Sequence, residues 1–263
     1  MTRGLEGRVA VVGGSSSGLG LATAEALARD GAGVLVLARS PERVESAVAR
    51  LRGVAGDRVA GLAADLTDPS TPARAVAMAR ERLGPPTIVV ANGGGPPAMA
   101  AVNASSEDLD AACRLLLLPV QRLLEASIAD MHQAGWGRFV AITSVAVLEP
   151  QPGLVLSNAL RAAVTGYLRS IADEVARDGI TVNTVCPGYT ATDRLQELAE
   201  ARAARDGGTA EEILEGWARH APVQRLLRPE EVAAAVAFLC SEEASGITGV
   251  ALAVDGGYHR GLL

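Results

Sequence analysis

Residues 9–20 read Val9-Ala10-Val11-Val12-Gly13-Gly14-Ser15-Ser16-Ser17-Gly18-Leu19-Gly20, an apolar run that breaks into glycine and serine. The run is typical of a buried strand, and the alanine- and leucine-rich residues 21–28 behind it are typical of a helix. A tight turn between the two leaves the first backbone N–H groups of the helix free, at the positive end of the helix dipole. Glycine suits this turn because a β-carbon would hold a phosphate away and would penalise positive φ. The stretch therefore predicts a pyrophosphate site, with an ordinary glycine-rich turn as the alternative.

The surrounding pattern places this turn in a parallel sheet. A second apolar run, Gly33 to Ala38, follows the helix and completes a strand, helix, strand unit. Strand and helix patterns then alternate, which indicates right-handed crossovers between parallel strands. Strand-like runs begin near residues 9, 33, 59, 87, 138, 181 and 250. The sequence predicts a single α/β domain over residues 1–263, a doubly wound Rossmann-type parallel sheet of about seven strands with helices on both faces.

Composition favours this fold and excludes some functions. The chain has 263 residues, of which 49% are hydrophobic and few are aromatic, as expected for an Ala, Leu and Val interior between helical layers. The net charge of −6 argues against a nucleic-acid partner. No run of about 18 apolar residues occurs, so we expect no membrane span. The sequence contains 24 arginines and no lysine.

Cysteine and histidine placement indicates a reduced, metal-free chain. The cysteines are scattered without paired spacing: Cys113, Cys186 and Cys240. The three histidines lie far apart and none is near a cysteine, so we predict no metal site. The first eight positions contain charged residues and no apolar segment of the kind found in a secretory signal, so we predict no such signal. These features predict a cytoplasmic protein.

Two segments interrupt the regular alternation. A long helical pattern opens at Ser106 and runs to about Ala134, and Pro119 within it predicts a kink because proline removes a backbone hydrogen bond. A charged, helical insertion follows the sixth strand, at about residues 190–228. Because it lies beyond the carboxyl end of a strand, we predict that it forms a lid.

The order of short motifs resembles the short-chain dehydrogenase/reductase family over nearly the whole chain, from Gly7 to Gly257. The motifs that carry the resemblance are Gly14-x-x-x-Gly18-x-Gly20, Asp65-Leu66-Thr67-Asp68, Asn92-Gly93-Gly94, residues 137–144, residues 182–188, Thr248-Gly249 and Asp255-Gly256-Gly257. The resemblance implies an oxidoreductase that transfers hydride between a nicotinamide nucleotide and a carbonyl or alcohol. The pattern Asn92-Gly-Gly-Gly-Pro-Pro with Ser157-Asn158-x-x-Arg161 resembles a divergent subgroup that is similar to 3-oxoacyl-[acyl-carrier-protein] reductases but lacks the usual Tyr-x-x-x-Lys pair.

The resemblance assigns twelve positions to the nucleotide. Those that correspond to the pyrophosphate turn are Gly14, Ser16, Gly18 and Leu19, and those beside the adenine and ribose are Asp65, Leu66, Asn92 and Gly94. The loop that family members wrap around the nicotinamide corresponds to Pro187, Gly188, Thr190 and Thr192.

At the end of the second strand, family members that prefer NAD carry an acidic residue. This chain has Ala38 at that position, and Arg39 follows it. An arginine suits the 2′-phosphate of NADP by charge and by its forked donors. The sequence therefore favours NADP(H) over NAD(H), with a solvated surface arginine as the alternative.

The catalytic positions depart from the family pattern. In register with the family, Ser144 keeps the catalytic serine, whereas Ser157 replaces the tyrosine, Arg161 the lysine and Leu116 the asparagine. Serine is a far weaker acid than tyrosine, whose pKa of about 10 the family lysine lowers, and arginine releases no proton at ordinary pH. We expect the usual proton route to be absent. Tyr189 is the nearest phenol that offers a substitute, with a packing role as its alternative.

Two functions remain open at this point. The first is an NADP(H)-binding oxidoreductase of a small carbonyl or alcohol substrate, in which Ser144 polarises the substrate oxygen, Arg161 holds nucleotide hydroxyls, and water or an unassigned group supplies the proton. The second is a catalytically inactive, nucleotide-binding pseudoenzyme that acts as a sensor or subunit partner. The resemblance also implies a homodimer or homotetramer, because relatives pair through two long helices, here about residues 106–134 and 157–177.

Overall fold

The structure is a computed structural model, and it describes residues 3–262. These residues form one sheet of seven parallel strands in the order β3-β2-β1-β4-β5-β6-β7. The strands are β1 (Val9–Gly13), β2 (Gly33–Ala38), β3 (Val59–Ala63), β4 (Ile88–Ala91), β5 (Gly137–Ile142), β6 (Ile180–Pro187) and β7 (Ala251–Val254). The doubly wound parallel sheet predicted from the sequence is confirmed. Strand order reverses between β1 and β4, where a crevice opens at the carboxyl ends of the strands.

Helices cover both faces of the sheet. They are α1 (Gly18–Arg29), α2 (Pro41–Ala55), α3 (Thr71–Arg82), α4 (Ser106–Leu116), α5 (Leu118–Ala134), α6 (Val155–Val175), α7 (Asp193–Asp206), α8 (Ala210–His220) and α9 (Pro229–Leu239). One apolar layer joins the sheet to α1, α2 and α9, and a second joins it to α3, α5 and α6. Successive residues of β1 enter opposite layers, Ala10 and Val12 the first and Val9 and Val11 the second, because strand side chains alternate. Burial on both faces explains the unbroken apolar run of this strand.

The long helical pattern is broken where Pro119 predicted a kink. The helix α4 ends at Leu116 and α5 begins at Leu118, with Pro119 in the first turn of α5, where its missing N–H costs least. The helix α6 begins at Val155 rather than at Ser157, because the turn of residues 151–154 leads directly into it. Ser157 therefore lies in the first turn of α6.

A buried cation fixes the amino-terminal end of the sheet. The guanidinium of Arg138, 1% exposed, donates to the carbonyl oxygens of Ser241 at 3.1 Å, Gly137 at 2.8 Å and Gly179 at 3.1 Å. It also lies 4.2 Å from the ring centroid of Trp136, in the range of a cation–π contact. Nη2 of Arg138 also pairs with the carboxylate of the exposed Glu242 at 3.4 Å, so these contacts together hold β5 against the segment after α9.

We expect Arg138→Met to lower the free energy of unfolding by about 3–5 kcal/mol, because the carbonyls of the buried residues Gly137 and Ser241 lose this donor and the ion pair with Glu242 is lost. Urea unfolding of the full chain measures this loss. Arg169→Met is the matched control: Arg169 is exposed and its ion pair within residues 3–262 is with Asp173 on its own helix, so its removal should change stability by less than about 1 kcal/mol. Equal effects of the two substitutions would contradict this account of Arg138.

Within residues 3–262, no helix combines the length and the apolar character needed to cross a membrane.

Candidate functional site

The turn after β1 is tied to the neighbouring strand by a buried serine. The Oγ of Ser15 donates to the carbonyl of Val12 at 2.6 Å and accepts from the backbone N–H of Leu37 at 3.0 Å. Ser17, the N-cap of α1, makes no capping bond with its side chain. Ser16 and Leu19 are both half-buried, and Leu19 packs on the first apolar layer. The first N–H groups of α1 therefore face the crevice from a rigid turn.

The glycines of this turn are required by close approaches. Gly14 has φ +56°, and a Cβ on it would lie 2.8 Å from Nδ2 of Asn92. A Cβ on Gly20 would lie 2.7 Å from the carbonyl carbon of Gly14. The amide of Asn92 also donates to the carbonyl of Gly13 at 3.1 Å, which joins the end of β4 to the turn. Gly18 has φ +52°, and a Cβ there would lie 3.4 Å from Cγ2 of Thr192.

Three further predicted nucleotide positions lie at the carboxyl ends of β2 and β3. Arg39 is exposed and makes no hydrogen bond or ion pair with any residue in the described range 3–262. Asp65 is exposed, and its Oδ1 accepts from the backbone N–H and the hydroxyl of Thr67 at 2.8 and 2.9 Å. Leu66 is half-buried, with Cδ1 3.1 Å from the position of a Cβ on Gly13. The structure thus leaves a free cation at this edge of the crevice.

The loop after β6 is shaped by contacts with β7. Pro187 ends β6, and the N–H of Gly188 donates to the carbonyl of Val254 at 3.0 Å. The hydroxyl of Thr190 donates to the carbonyl of Gly188 at 3.0 Å. Thr192 caps α7 by accepting from the N–H of Leu195 at 3.3 Å. This loop faces the turn after β1 through the approach of Thr192 to Gly18, whereas Gly94 is exposed in the loop after β4.

The structure brings Ser157 and Arg161 together, at the strand end that leads to Ser144. The Oγ of Ser157 accepts from Nε of Arg161 at 3.0 Å, one helical turn along α6. Nη1 of Arg161 donates to the carbonyls of Ile142 at 3.2 Å and Thr143 at 2.9 Å, the two residues directly before Ser144. The guanidinium therefore bridges the end of β5 and the first turn of α6.

The hydrogen bonds of Ser144, Ser157 and Arg161 show which of their donor groups remain available to a ligand. The Oγ of Ser144 accepts from the N–H of Ala146 at 3.1 Å. Neither Ser144 nor Ser157 donates its hydroxyl proton to another residue of the described chain, and Nη2 of Arg161 is likewise unbonded there. Burial, with a smaller effect from the charge of Arg194, lowers the pKa of Arg161 to about 10. The guanidinium is a cation at neutral pH, and two hydroxyl protons beside it are free.

Leu116 lies in an apolar cluster with Ala112, Leu156 and Leu160, so its position offers no hydrogen bond to a water. The phenol of Tyr189 already has a hydrogen-bond partner, since its hydroxyl donates to Oε1 of Gln151 at 3.3 Å. Its ring stacks on Trp217 of α8, with centroids 4.9 Å apart. Burial raises the pKa of Tyr189, which makes it a poorer proton donor than a free phenol. The packing alternative describes Tyr189 better than the catalytic one.

The predicted lid segment forms α7 and α8. Arg194, near the start of α7, donates from Nη2 to the carbonyl of Pro96 at 2.8 Å, so the segment is bonded to the loop after β4. The sequence did not single out Arg194. In the described range 3–262, no group of three or more His, Cys, Asp or Glu is arranged to hold a metal ion.

Comparisons with known proteins agree with this architecture. A family model described as enoyl-(acyl carrier protein) reductase matches residues 14–259. The chain is 30% identical to D-beta-hydroxybutyrate dehydrogenase of Rhizobium meliloti over 253 residues, 95% of this chain and 98% of that protein. It is 35% identical to 3-oxoacyl-[acyl-carrier-protein] reductase FabG of Pseudomonas aeruginosa over 257 residues, 97% of this chain and 98% of the relative.

Solved structures are similar as well. The crystal structure of L-sorbose reductase from Gluconobacter frateurii, complexed with NADPH and L-sorbose, superposes with a TM-score of 0.93. The two sequences are 33% identical, and the similarity covers 100% of both chains.

Proposed function

Because this chain belongs to the short-chain dehydrogenase/reductase family, we propose that it is an NADP(H)-dependent oxidoreductase of a small carbonyl or alcohol substrate, with an atypical catalytic site. The observation that carries the proposal is the crevice at the strand-order reversal, where the glycine turn after β1 meets Asn92 and Thr192. At its far side, Arg161 is hydrogen-bonded to Ser157 and to the carbonyl of Thr143, the residue before Ser144.

The residues of the crevice fit a dinucleotide. A Cβ on Gly14 or Gly20 would meet Asn92 or Gly14 itself, so the backbone is kept bare where a pyrophosphate needs N–H groups. Asn92, Gly94, Asp65 and the loop after β6 complete the nucleotide-binding set in this proposal. The related L-sorbose reductase was crystallised with NADPH, which supports the same nucleotide for this chain.

Arg39 is proposed to select NADP(H) by pairing with the 2′-phosphate, since it has no partner within residues 3–262. We expect Arg39→Glu to weaken NADPH binding about 10- to 100-fold, the effect of losing a charged hydrogen bond, and to leave NADH binding equal or stronger. Titration of both nucleotides by fluorescence measures the ratio. The exposed Arg52 of α2, changed to Glu, is the control. An unchanged ratio of the two affinities in Arg39→Glu would assign Arg39 to the surface only.

The substrate oxygen is proposed to lie against the hydroxyls of Ser144 and Ser157, because both have a proton to donate. The cation at Arg161 donates to the Ser157 oxygen, which polarises that hydroxyl and strengthens it as a donor. Nη2 of Arg161 remains for a ribose hydroxyl. Bound NADPH would supply a hydride, and water would supply the proton that the family tyrosine normally delivers.

The pseudoenzyme stays a second candidate, favoured by the loss of hydrogen-bonding capacity at Leu116 and by the commitment of Tyr189 to Gln151. Mixing the protein with NADPH and a panel of aldehydes, ketones and 3-oxo esters separates the two. Enhanced nucleotide fluorescence together with NADPH oxidation supports the oxidoreductase. Binding without oxidation of any member of the panel supports the pseudoenzyme, and it is strengthened if Ser157→Tyr with Arg161→Lys gains turnover.

Two further features belong to the proposal. The segment at about residues 190–228 is proposed to act as a lid, since α7 is bonded to the loop after β4 through Arg194. Pairing of two chains through α4, α5 and α6 is proposed from the family resemblance, and a dimer or tetramer by light scattering is the expected result.

A further inference from the structure

A cavity of about 580 Å³ lies between the loop after β4, the turn before α6 and the carboxyl-terminal half of α7. Its apolar wall includes Ala98, Met99 and Pro152. Two arginines of α7, Arg202 and Arg205, also line the cavity.

The cations are held in place but not neutralised. Asp206 accepts from Nε and Nη2 of Arg205 at 2.6 and 2.9 Å. The same carboxylate lies 3.5 Å from Nε of Arg202. One negative charge is therefore shared by two guanidinium groups, which leaves a net positive charge. Nη1 of Arg205 lies 3.5 Å from the position of a Cβ on Gly153, so it projects toward the turn that forms the cavity wall.

The cavity wall is joined to the start of α6. Met99 forms a parallel bridge with Leu154, directly before α6. Gln151, next to Pro152, exchanges hydrogen bonds with the side chain of Asn158 at 3.2 and 2.9 Å. Asn158 is the neighbour of Ser157. Pro152 and Gly153 of the cavity wall thus precede Ser157 by five and four residues along the chain.

We propose that this cavity binds an anionic group on an apolar chain, and that Arg202 and Arg205 make the enzyme specific for carbonyl substrates that carry a carboxylate or a phosphate. That the ligand is a substrate rests on the proposed function, but binding of an anion in this cavity does not depend on turnover. An exposed guanidinium pair with spare N–H donors binds carboxylate and phosphate alike, by paired and charge-assisted hydrogen bonds. The apolar wall favours an alkyl or acyl chain over a polyhydroxylated one.

The test is a calorimetric titration of the full chain, saturated with NADPH, with three probes of equal chain length: octanoate, octyl phosphate and 1-octanol. We expect at least one anion to bind about 10- to 100-fold more tightly than the alcohol. The double variant Arg202→Gln with Arg205→Gln should remove this preference, while Arg219→Gln, an exposed arginine of α8 paired with Glu215, should keep it. Tighter binding of octanoate would identify a free acid as the substrate class, and tighter binding of octyl phosphate a phosphorylated carrier.

A second variant protects the test against misfolding of the first. Ala98→Glu places a carboxylate on the exposed wall of the cavity that the arginines also line, and we expect it to remove the same preference. Equal binding of the anions and 1-octanol by the unmodified chain would overturn the inference, as would an anion preference that survives in both variants. Failure of the proposed oxidoreductase function has a different signature, namely no NADPH oxidation with the anion preference intact.

Discussion

Arg161→Ala is expected to lower kcat/KM for carbonyl reduction about 100- to 1000-fold, the usual cost of removing a preorganised donor at a developing negative charge. The guanidinium holds the Oγ of Ser157 at 3.0 Å and the carbonyl of Thr143 at 2.9 Å. Without it, Ser157 loses a charged donor and the carbonyls before Ser144 lose their shared partner. The Ser157 hydroxyl would then be neither aligned nor polarised, and the strand end before Ser144 would be held less firmly.

The pH profile separates a charge effect from a merely structural one. Since the pKa of Arg161 is about 10, the unmodified site stays cationic and kcat/KM should be flat in this group between about pH 6 and pH 9. In Arg161→Lys the same burial acts on a side chain whose ordinary pKa is about 10.4, lower than that of arginine. The pKa of the buried lysine should therefore be lower than that of Arg161, and activity should decline as pH rises within that window. The declining limb belongs to the deprotonated lysine, which has lost its charge.

Arg169→Ala is the matched control, because Arg169 lies on the same helix but is exposed and pairs with Asp173. Its kcat/KM and pH profile should match those of the unmodified chain. If Arg161→Ala retained full activity with unchanged NADPH affinity, the chemistry would have to lie elsewhere than at Ser144 and Ser157.

The fold was largely predictable because the strands of a parallel sheet buried on both faces are continuous apolar runs, which are visible in the sequence. The runs at Val9–Gly13 and Gly33–Ala38 are almost wholly apolar, and a helical pattern separates them. Helix boundaries were less predictable. The start of α6 moved from Ser157 to Val155 because the turn before it is fixed by contacts of Gln151 with Asn158, which no local propensity encodes.

Site residues divide in the same way. Gly14 and Asn92 belong to short motifs whose spacing is visible, and the structure places their side-chain and backbone atoms in contact. By contrast, the bond of Arg161 to Thr143 joins residues 18 positions apart on different elements. The cleft-spanning bond of Arg194 to Pro96 joins residues 98 positions apart. Such pairings depend on the packing of a helix against the sheet, so the sequence offered no signal for them beyond the residue types.

Gly20→Ala is expected to reduce NADPH affinity more than 10-fold and to lower the free energy of unfolding by about 1–3 kcal/mol, as overpacking does. A Cβ on Gly20 would lie 2.7 Å from the carbonyl carbon of Gly14 and 2.8 Å from Nδ2 of Asn92. Neither neighbour gives way easily: one is backbone, and the other is an amide that donates to the carbonyl of Gly13. The start of α1 must therefore move away from β1, and its free N–H groups move with it.

Gly53→Ala is the matched control, because Gly53 lies inside α2 and a Cβ there would meet nothing within 4 Å. It should leave NADPH affinity unchanged and raise stability by about 0.5–1 kcal/mol, since alanine restricts the unfolded chain more than glycine does. Fluorescence titration gives the affinities and urea unfolding the stabilities. Were Gly20→Ala destabilised but still able to bind NADPH as tightly as the unmodified chain, the turn after β1 would be a packing element and the nucleotide would have to bind without it.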